Sequence, residues 1–261
     1  MDLPLTFSAT SNASRLTRPV DDDRPSIAGV FQSLQSMETA GRNGREILRH
    51  AVEGPLRDRI AVVSSFGAES ALLLSILAEI DPSVPVIFLE TGKHFPETLA
   101  YRDELASYLG LTDIRDVVPG DAAIRDQDPS GELWYYDPDA CCALRKVRPL
   151  ERALAPFESW ISGRKRFQAA TRTMLPIVEQ ESGRLKLNPL ADWDAARIGQ
   201  ELARRNLPMH PLVERGYPSI GCSVCTRSIV PGEDSRAGRW SGSRKVECGI
   251  HAPAPVADPV A

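Results

Sequence analysis

The sequence predicts an α/β fold built around a parallel sheet. Two apolar runs rich in β-branched residues, 59–66 and 84–91, are each followed by a stretch of helical character, at 68–80 and 95–110. A further extended run lies at 112–119. Strands that alternate with helices in this way are joined by crossover connections, which make neighbouring strands parallel.

Two segments near this pattern support the assignment of its helices. Helical spacing at 44–53 predicts a helix before the first strand. In the helix predicted at 95–110, Pro96 lies in the first turn and Gly110 at the end, which are the positions that each of these residue types favours.

The second half of the chain shows a weaker pattern, which loosens after Pro119. A short strand is predicted to end at Gly163, and the pair at 182–183 marks the turn of a predicted hairpin. Asp192 is the predicted N-cap of a helix over 192–206, because a carboxylate there can accept from the first free backbone N–H groups.

The domain organisation predicted from composition is one α/β domain over residues 29–233. Residues 1–28 lack the apolar core of a secretion signal and are predicted to be flexible. Residues 234–261 are rich in Gly, Ser and Pro and are predicted to form a mobile tail. No stretch has the apolar length of a membrane span. Because no secretion signal is evident either, we expect a cytoplasmic protein with reduced cysteines.

The charge balance favours a small anionic ligand over a nucleic acid. The chain has a net charge of −4 at pH 7, which argues against a general nucleic-acid partner. Basic residues nevertheless cluster at 145–148 and 163–166. Each cluster is either a solvated face or part of an anion site. The oligomeric state stays open, and a homo-oligomer is compatible with the sequence.

The segment SSFGAES at 64–70 is a candidate phosphate loop. It falls where the first predicted strand passes into a helix, and ligands of α/β sheets bind at such turns. Ser64 and Ser65 offer hydroxyl groups, Gly67 permits close backbone approach, and the following helix presents its positive end. Taken alone, the segment is equally compatible with an ordinary tight turn.

Four of the five cysteines form two close pairs, Cys141 with Cys142 and Cys222 with Cys225. Four thiolates can hold either a tetrahedral zinc ion or a [4Fe–4S] cluster. Adjacent cysteines are unusual for structural zinc, which prefers a C-x₂₋₄-C spacing. Unligated buried cysteine is the remaining alternative, and two tight pairs in a reducing compartment argue against it.

The fifth cysteine, Cys248, lies in KVECGIH near the end of the chain. Its basic neighbours Arg244 and Lys245, with His251 shortly after it, make this thiol a candidate nucleophile. Without the other motifs, an incidental cysteine in the tail would be the simpler interpretation.

Five stretches together resemble the assimilatory adenylyl-sulfate (APS) reductases, within the wider group of APS and 3′-phospho-APS (PAPS) reductases. They are SSFGAES, FLETGKHFPET, CCALRKVRPL, GCSVCT and KVECGIH, and they occur in the family's order from about Arg59 to His251. The combination of the two pairs with the terminal cysteine is specific. Two departures are Phe66, where the family often has a second serine, and Phe167, where it often has aspartate.

The resemblance implies an adenine-nucleotide α-hydrolase-like fold, akin to the PP-loop ATP pyrophosphatases. It also implies a [4Fe–4S] cluster on Cys141, Cys142, Cys222 and Cys225, with Cys248 as nucleophile. The implied reaction is reduction of APS to sulfite and AMP in sulfate assimilation and cysteine biosynthesis. It passes through an S-sulfocysteine and uses reduced thioredoxin or a similar thiol donor.

The resemblance further implies a set of substrate contacts. Lys146, just after the first cysteine pair, is expected to bridge cluster and substrate. The other expected contacts are Ser64, Ser65 and Gly67 on phosphate oxygens; Arg236, Arg239 and His251 on the phosphosulfate; Arg164, Arg166 and Arg172 as further positive charge; and the backbone of Leu89 and Gly163 on the adenosine.

Three other functions compete with this assignment. A PAPS reductase or a dual APS/PAPS reductase is the nearest, although members restricted to PAPS generally lack the two cysteine pairs. A PP-loop ATP pyrophosphatase, such as a tRNA-thiolation enzyme, usually carries SGGxDS where this chain has SFGAES. A zinc-stabilised nucleotide-binding module would leave Cys248 idle.

Overall fold

The computed structural model describes residues 24–181 and 183–251, and its centre is a six-stranded sheet. The strands are β1 Ile60–Val63, β2 Val86–Leu89, β3 Ile114–Val117, β4 Ser159–Ile161, β5 Val178–Glu181 and β6 Arg184–Leu187. Their order is β3-β2-β1-β4-β6-β5, and every neighbouring pair is parallel except β5 with β6. The predicted parallel sheet is therefore confirmed, and β5 and β6 form the predicted hairpin.

Helices precede, connect and flank the strands. They are α1 Ile27–Thr39, α2 Gly44–Glu53, α3 Ser70–Ala78, α4 Pro96–Leu109, α5 Asp121–Gln127, α6 Leu133–Tyr136, α7 Pro138–Cys142, α8 Arg148–Leu154 and α9 Ala195–Arg204. A π-helical turn, Ala143–Val147, joins α7 to α8. As predicted, α4 has proline in its first turn and ends at Gly110, whose φ of 66° lies in the left-handed region. None of the described helices has the length and apolar character needed to cross a membrane.

The N-cap of α9 differs from the prediction. The helix begins after Asp194, whose carboxylate accepts from the backbone N–H of Arg197 at 2.7 Å. Asp192 is exposed and lies before the helix. The buried Trp193 stands between the two aspartates and is anchored in the core. The first helical turn therefore starts only after this anchor, where Asp194 is the carboxylate within reach.

Helix α1 is an element that the sequence prediction did not include. Residues 1–23 of the predicted flexible segment lie outside the described residues, and α1 begins at Ile27. Its N-cap Ser26 accepts from the backbone N–H of Gly29 at 3.2 Å. Val30 and Leu34 are buried in the core, against the sheet edge formed by β5 and β6.

Two apolar layers enclose the sheet. On one face, side chains such as Val62 and Phe88 pack with residues of α1, α2, α3, α4 and α9. On the other face, Trp160 and Ile87 pack with Leu150 of α8. Because alternate residues of each strand point to opposite faces, the same short apolar strands contribute side chains to both layers.

Candidate active site

A cleft opens at the carboxyl ends of β1, β2 and β4. It is lined by the segment after β1, the last residue of β2, the segment after β4, and the C-terminal part of the described chain. It brings together these predicted site residues: Ser64, Ser65, Gly67, Leu89, Lys146, Gly163, Arg164, Arg172, Arg236, Arg239, Cys248 and His251. This edge of a parallel sheet is where α/β folds bind their ligands.

Arg166 is the predicted substrate contact that does not line this cleft. Its Nε atom donates instead to the backbone carbonyl of Leu175 at 2.8 Å. The side chain thereby closes the loop that carries Arg172. The structure consequently gives Arg166 a contact within the loop in place of the expected position among the cleft's charges.

The candidate phosphate loop turns sharply after β1. Ser64 Oγ accepts from the backbone N–H of Phe66 at 3.2 Å. Phe66 has a φ of 47°, a left-handed conformation that is unusual for a bulky residue. Its ring is fully buried and packs edge-on against Phe88 at 5.7 Å between ring centroids. Burial of the ring fixes the turn and leaves Ser65 and Gly67 lining the cleft.

Positive charge dominates the lining of the cleft. Its basic residues are Lys146, Arg164, Lys165, Arg172, Arg236 and Arg239, whereas its acidic residues are Glu69 and Glu247. Burial lowers the pKa of Arg164 and of Arg236, and Arg172 lowers it further in both cases. Neighbouring carboxylates only partly offset this effect. The cleft is therefore suited to an anionic ligand, which would relieve the cost of holding these cations together.

Arg239 reaches the cleft because its neighbour Gly221 has no side chain. Its guanidinium donates to the Ile220 carbonyl at 3.3 Å and lies over the Trp240 ring, 4.5 Å from the centroid. A Cβ atom on Gly221 would stand 2.3 Å from Arg239 Nη2. Any larger residue at Gly221 would therefore displace the guanidinium.

The C-terminal segment packs into the cleft as far as it is described. The His251 ring is stacked on Trp160, with 5.4 Å between ring centroids and an interplanar angle of 2°. Burial lowers the pKa of His251 well below its usual value, and the charges of Arg164 and Lys186 lower it further. The imidazole is therefore neutral near pH 7. Mobility of residues 234–261 stays a prediction, since residues 252–261 lie outside the described part of the chain.

The two cysteine pairs lie on two facing segments beside the cleft. Cys141 and Cys142 end α7, while Cys222 precedes and Cys225 ends a short 3₁₀ turn. Burial raises the pKa of Cys141 and of Cys142 to about 11, and the nearby Cys222 contributes to both increases. Thr91 Oγ1 lies 3.4 Å from Cys222 Sγ. The pairs are thus close enough to influence one another electrostatically.

The donor chemistry of these four residues fits an iron–sulfur cluster. All four are free thiols, two from each segment, and Cys141, Cys142 and Cys222 are buried. As placed, the described residues include no group of three or more His, Cys, Asp or Glu side chains arranged to hold a metal ion. The fit therefore rests on the type and pairing of the donors.

Lys146 lies between the cysteines and the cleft. It projects from the π-helical turn that follows Cys142 and lines the cleft. Burial works against its charge, but the thiolates of Cys222, Cys248 and Cys142 outweigh that effect and raise its pKa. The ammonium group therefore lies close enough to Cys142, Cys222 and Cys248 to interact with them electrostatically. That Lys146 bridges a cluster and the substrate stays a prediction.

Arg145, the neighbour of Lys146, points elsewhere. Its guanidinium donates to the Thr91 carbonyl at 2.7 Å and to the buried Asp128 carboxylate at 2.5 Å. These bonds tie the cysteine-bearing helical segment to the loop after β2 and to the C-terminal end of α5. Within the basic cluster at 145–148, Lys146 thus lines the cleft, while Arg145 stabilises the fold.

Sequence reasoning missed several residues of the cleft. Lys165 donates to Glu69 at 2.7 Å, and Gln168 donates to the same carboxylate at 2.8 Å. His94 Nε2 lies 2.9 Å from the Leu89 carbonyl, so the backbone expected to meet adenosine already has a hydrogen-bond partner. The basic cluster at 163–166 was a signal for Lys165. The others depend on partners distant in the chain.

Comparison with known proteins agrees with this geometry. A family model described as the phosphoadenosine phosphosulfate reductase domain matches residues 59–228. An adenosine 5′-phosphosulfate reductase of Mesorhizobium japonicum is 49% identical over 225 residues, covering 86% of this chain and 85% of that protein. A phosphoadenosine 5′-phosphosulfate reductase of Gloeobacter violaceus is 43% identical over 200 residues, covering 75% and 83% respectively.

A solved structure shares the fold. The phosphoadenylyl-sulfate reductase of Candida auris, crystallised as a phosphate complex, aligns with a TM-score of 0.63 and 26% identity, over 78% of this chain and 98% of that one. With the mostly parallel sheet, this likeness confirms the predicted fold class. The family match spans the phosphate loop and both cysteine pairs. The chain belongs to the phosphoadenosine phosphosulfate reductase domain family.

Proposed function

We propose that this protein reduces APS to sulfite and AMP in sulfate assimilation, with Cys248 as the nucleophile. One observation carries the proposal: Cys248 lines a strongly basic cleft that also contains the serine loop after β1. A thiol, a phosphate loop and several cations in one cleft suit attack on an anionic phosphosulfate. Relatives named for this activity, at up to 49% identity, support it.

The chemistry divides into two displacements. The Cys248 thiolate attacks the sulfur of APS, so that a sulfur–sulfur bond forms and the bond between sulfur and the bridging oxygen breaks. AMP leaves with that electron pair. A thiolate of reduced thioredoxin, or of a similar dithiol, then attacks Cys248 Sγ and releases sulfite. The second donor thiol resolves the mixed disulfide, so the donor is oxidised and the Cys248 thiol is restored.

The cations of the cleft make the first displacement feasible. An anionic thiolate must approach an anionic phosphosulfate, and preorganised cations offset their repulsion where charge develops. Arg236 and Arg239 can donate to sulfate or phosphate oxygens as planar forks. Lys146 lines the same cleft as Cys248 and adds a further positive charge beside the reacting groups. His251, which is neutral, supplies a hydrogen bond in place of a charge.

Cys141, Cys142, Cys222 and Cys225 would hold a [4Fe–4S] cluster. When bound, the cluster would place a charged group beside Lys146 and tune the electric field there without transferring electrons. A brown protein would support this assignment, whereas a colourless zinc protein would contradict it. A cluster that becomes reduced during turnover would refute the proposed electrostatic role.

We propose APS as the preferred substrate, with PAPS as the alternative. The complete set of four paired cysteines favours APS, whereas the Gloeobacter violaceus relative at 43% identity is named for PAPS. Separate reactions with the two nucleotides distinguish APS-only from dual activity. We further propose a cytoplasmic location, because five free thiols persist in a reducing compartment.

Replacing Cys248 with serine tests the proposal. The Cys248→Ser variant should lose sulfite production by at least about a thousandfold while still binding APS. The matched control is Cys222→Ser, which should alter the visible spectrum of the protein, whereas Cys248→Ser should leave it unchanged. Normal sulfite production by Cys248→Ser would contradict the assignment of Cys248 as the nucleophile.

A further inference from the structure

Glu247, the residue before Cys248, is bound by two arginines of the cleft. Its carboxylate accepts from Arg172 Nε at 2.8 Å and from Arg172 Nη2 at 2.7 Å, which is a two-pronged contact. Arg236 Nη2 lies 3.4 Å from the same carboxylate. Arg172 is 8% exposed, so its guanidinium is largely shielded from water, whereas the Glu247 side chain is 27% exposed. The segment that carries Cys248 is therefore held by a charged contact.

The other acidic residue of the cleft does not share these arginines. Glu69 accepts from Lys165 and Gln168, next to the phosphate loop. Among the residues that line the cleft, Glu247 thus supplies the carboxylate that pairs with Arg172 and Arg236. Both arginines belong to the predicted substrate contacts. The carboxylate consequently occupies positions where an anionic ligand is expected.

The geometry of the contact matches that of an oxyanion. Two carboxylate oxygens meet the fork of a guanidinium in the same way as two oxygens of a sulfate or phosphate. Glu247 is adjacent in sequence to Cys248, and Cys248 must meet the sulfur of the substrate. Of the two anionic groups of APS, the sulfate is therefore the one that comes closest to this carboxylate.

We propose that Glu247 is an internal substitute for the substrate sulfate, holding the Cys248 segment on Arg172 and Arg236 until APS replaces it. The inference rests on the proposed function, because it takes the incoming anion to be that of APS. Exchange of one anion for another avoids leaving the buried Arg172 guanidinium and the partly buried Arg236 guanidinium without a partner.

The nucleophile does not leave the cleft when this exchange occurs. Arg236 Nη2 also donates to the Val246 carbonyl at 3.0 Å, a backbone contact that does not depend on the carboxylate. His251 remains stacked on Trp160 at the far side of Cys248. The exchange therefore frees the Glu247 side chain while the backbone on either side keeps Cys248 near the substrate.

Binding measurements in a Cys248→Ser background test this exchange without turnover. Glu247→Gln keeps the shape of the side chain but removes its charge, so APS no longer displaces a strong ion pair. We expect its APS dissociation constant to fall about tenfold. This factor corresponds to the free energy of about one charge-assisted hydrogen bond. AMP, which lacks the sulfate, should bind with less than about a twofold change.

The matched control is Glu69→Gln, which removes one negative charge from the same cleft at a carboxylate that accepts from Lys165 and Gln168 and not from Arg172 or Arg236. It should shift the affinities for APS and AMP by the same factor, because Glu69 lies beside the phosphate loop. Hydrogen exchange of residues 244–251 without ligand is the second measurement. It should accelerate in Glu247→Gln and in Arg172→Gln, although Arg172→Gln should weaken APS binding.

The outcomes separate the inference from the function on which it rests. Tighter APS binding by Glu247→Gln, with faster exchange of 244–251, supports the proposal. Unchanged or weaker APS binding by Glu247→Gln, or unchanged exchange, overturns the inference alone. Failure of the Cys248→Ser parent to bind APS would overturn the proposed function and the inference together.

Discussion

The phosphate loop and the C-terminal segment face each other across the cleft, but different forces hold them. The loop continues β1, and its Phe66 ring is fully buried against Phe88 in the main core. The C-terminal segment is fixed by the ion pair of Glu247 with Arg172 and by the stacking of His251 on Trp160. The loop can thus stay rigid while the segment with the nucleophile exchanges its partners.

The largest effect on activity is expected from loss of the Lys146 charge, next to Cys248. Lys146→Met should lower kcat/KM for APS about a thousandfold, since the ammonium faces the nucleophile and the substrate anion. Arg148→Met is the matched control, because Arg148 is exposed on the same helical segment and donates to Gln127. Equal losses in the two variants would mean that Lys146 acts only through the fold.

The next largest effect is expected on the free energy of unfolding at low pH, and it comes from a buried histidine outside the cleft. Burial lowers the pKa of His210 to about 4, and its ring bonds to Thr98 at 3.0 Å. The unfolded chain takes up a proton there between about pH 6.5 and 4, but the folded chain does not. The free energy of unfolding should therefore fall by about 3 kcal/mol as the pH drops through this window.

His210→Gln isolates that contribution. It keeps a hydrogen-bonding side chain near Thr98 but cannot titrate, so its unfolding free energy should vary less across the same window. Denaturant titrations at pH 4 and pH 6.5 measure the difference between the two proteins. Identical pH dependence in both would show that His210 is not the buried titrating group.

A smaller effect is expected at Gly221, whose lack of a side chain leaves room for the Arg239 guanidinium. Gly221→Ala would place a methyl group 2.3 Å from Arg239 Nη2 and so displace the guanidinium from the cleft. We expect kcat/KM to fall about thirtyfold with little change in melting temperature. Gly199→Ala is the control, since nothing lies within 4 Å of the added atom on that exposed helix face. A similar loss in both variants would contradict the assignment of Arg239.

The smallest effect should come from the stacking contact of the C-terminal segment. Trp160→Leu removes the ring beneath His251 and should lower kcat about fivefold, in line with the modest energy of aromatic stacking. Hydrogen exchange of residues 244–251 should increase, while that of the phosphate loop should not. Equal increases in both regions would mean that the two sides of the cleft are not held independently.

The same contrast explains how much could be predicted from sequence. Strands β1 and β2 and helices α3 and α4 follow from local patterns of apolar residues, and so does the position of the phosphate loop. The five motifs identified the family, and they contain most of the predicted site residues. Local signals sufficed wherever one segment determines its own structure.

Long-range contacts could not be predicted in this way. Arg172 and Glu247 lie 75 residues apart, and only the folded chain brings them together. The short helices α5–α8 have few turns each, so their spacing signal is weak. Arg166 and Arg172 belong to neighbouring turns and look alike in sequence, yet one closes a loop while the other enters the cleft. Side-chain direction, which sequence does not specify here, decides between them.

The most direct test of the central claim is the location of a sulfonate adduct. Anaerobically purified protein would be incubated with APS, and separately with PAPS, in the absence of any thiol donor, and its peptides would then be mapped by mass. We predict a sulfonate on Cys248 from APS, together with release of AMP. No adduct on Cys248 from either nucleotide would contradict the assignment of the nucleophile and of the reaction.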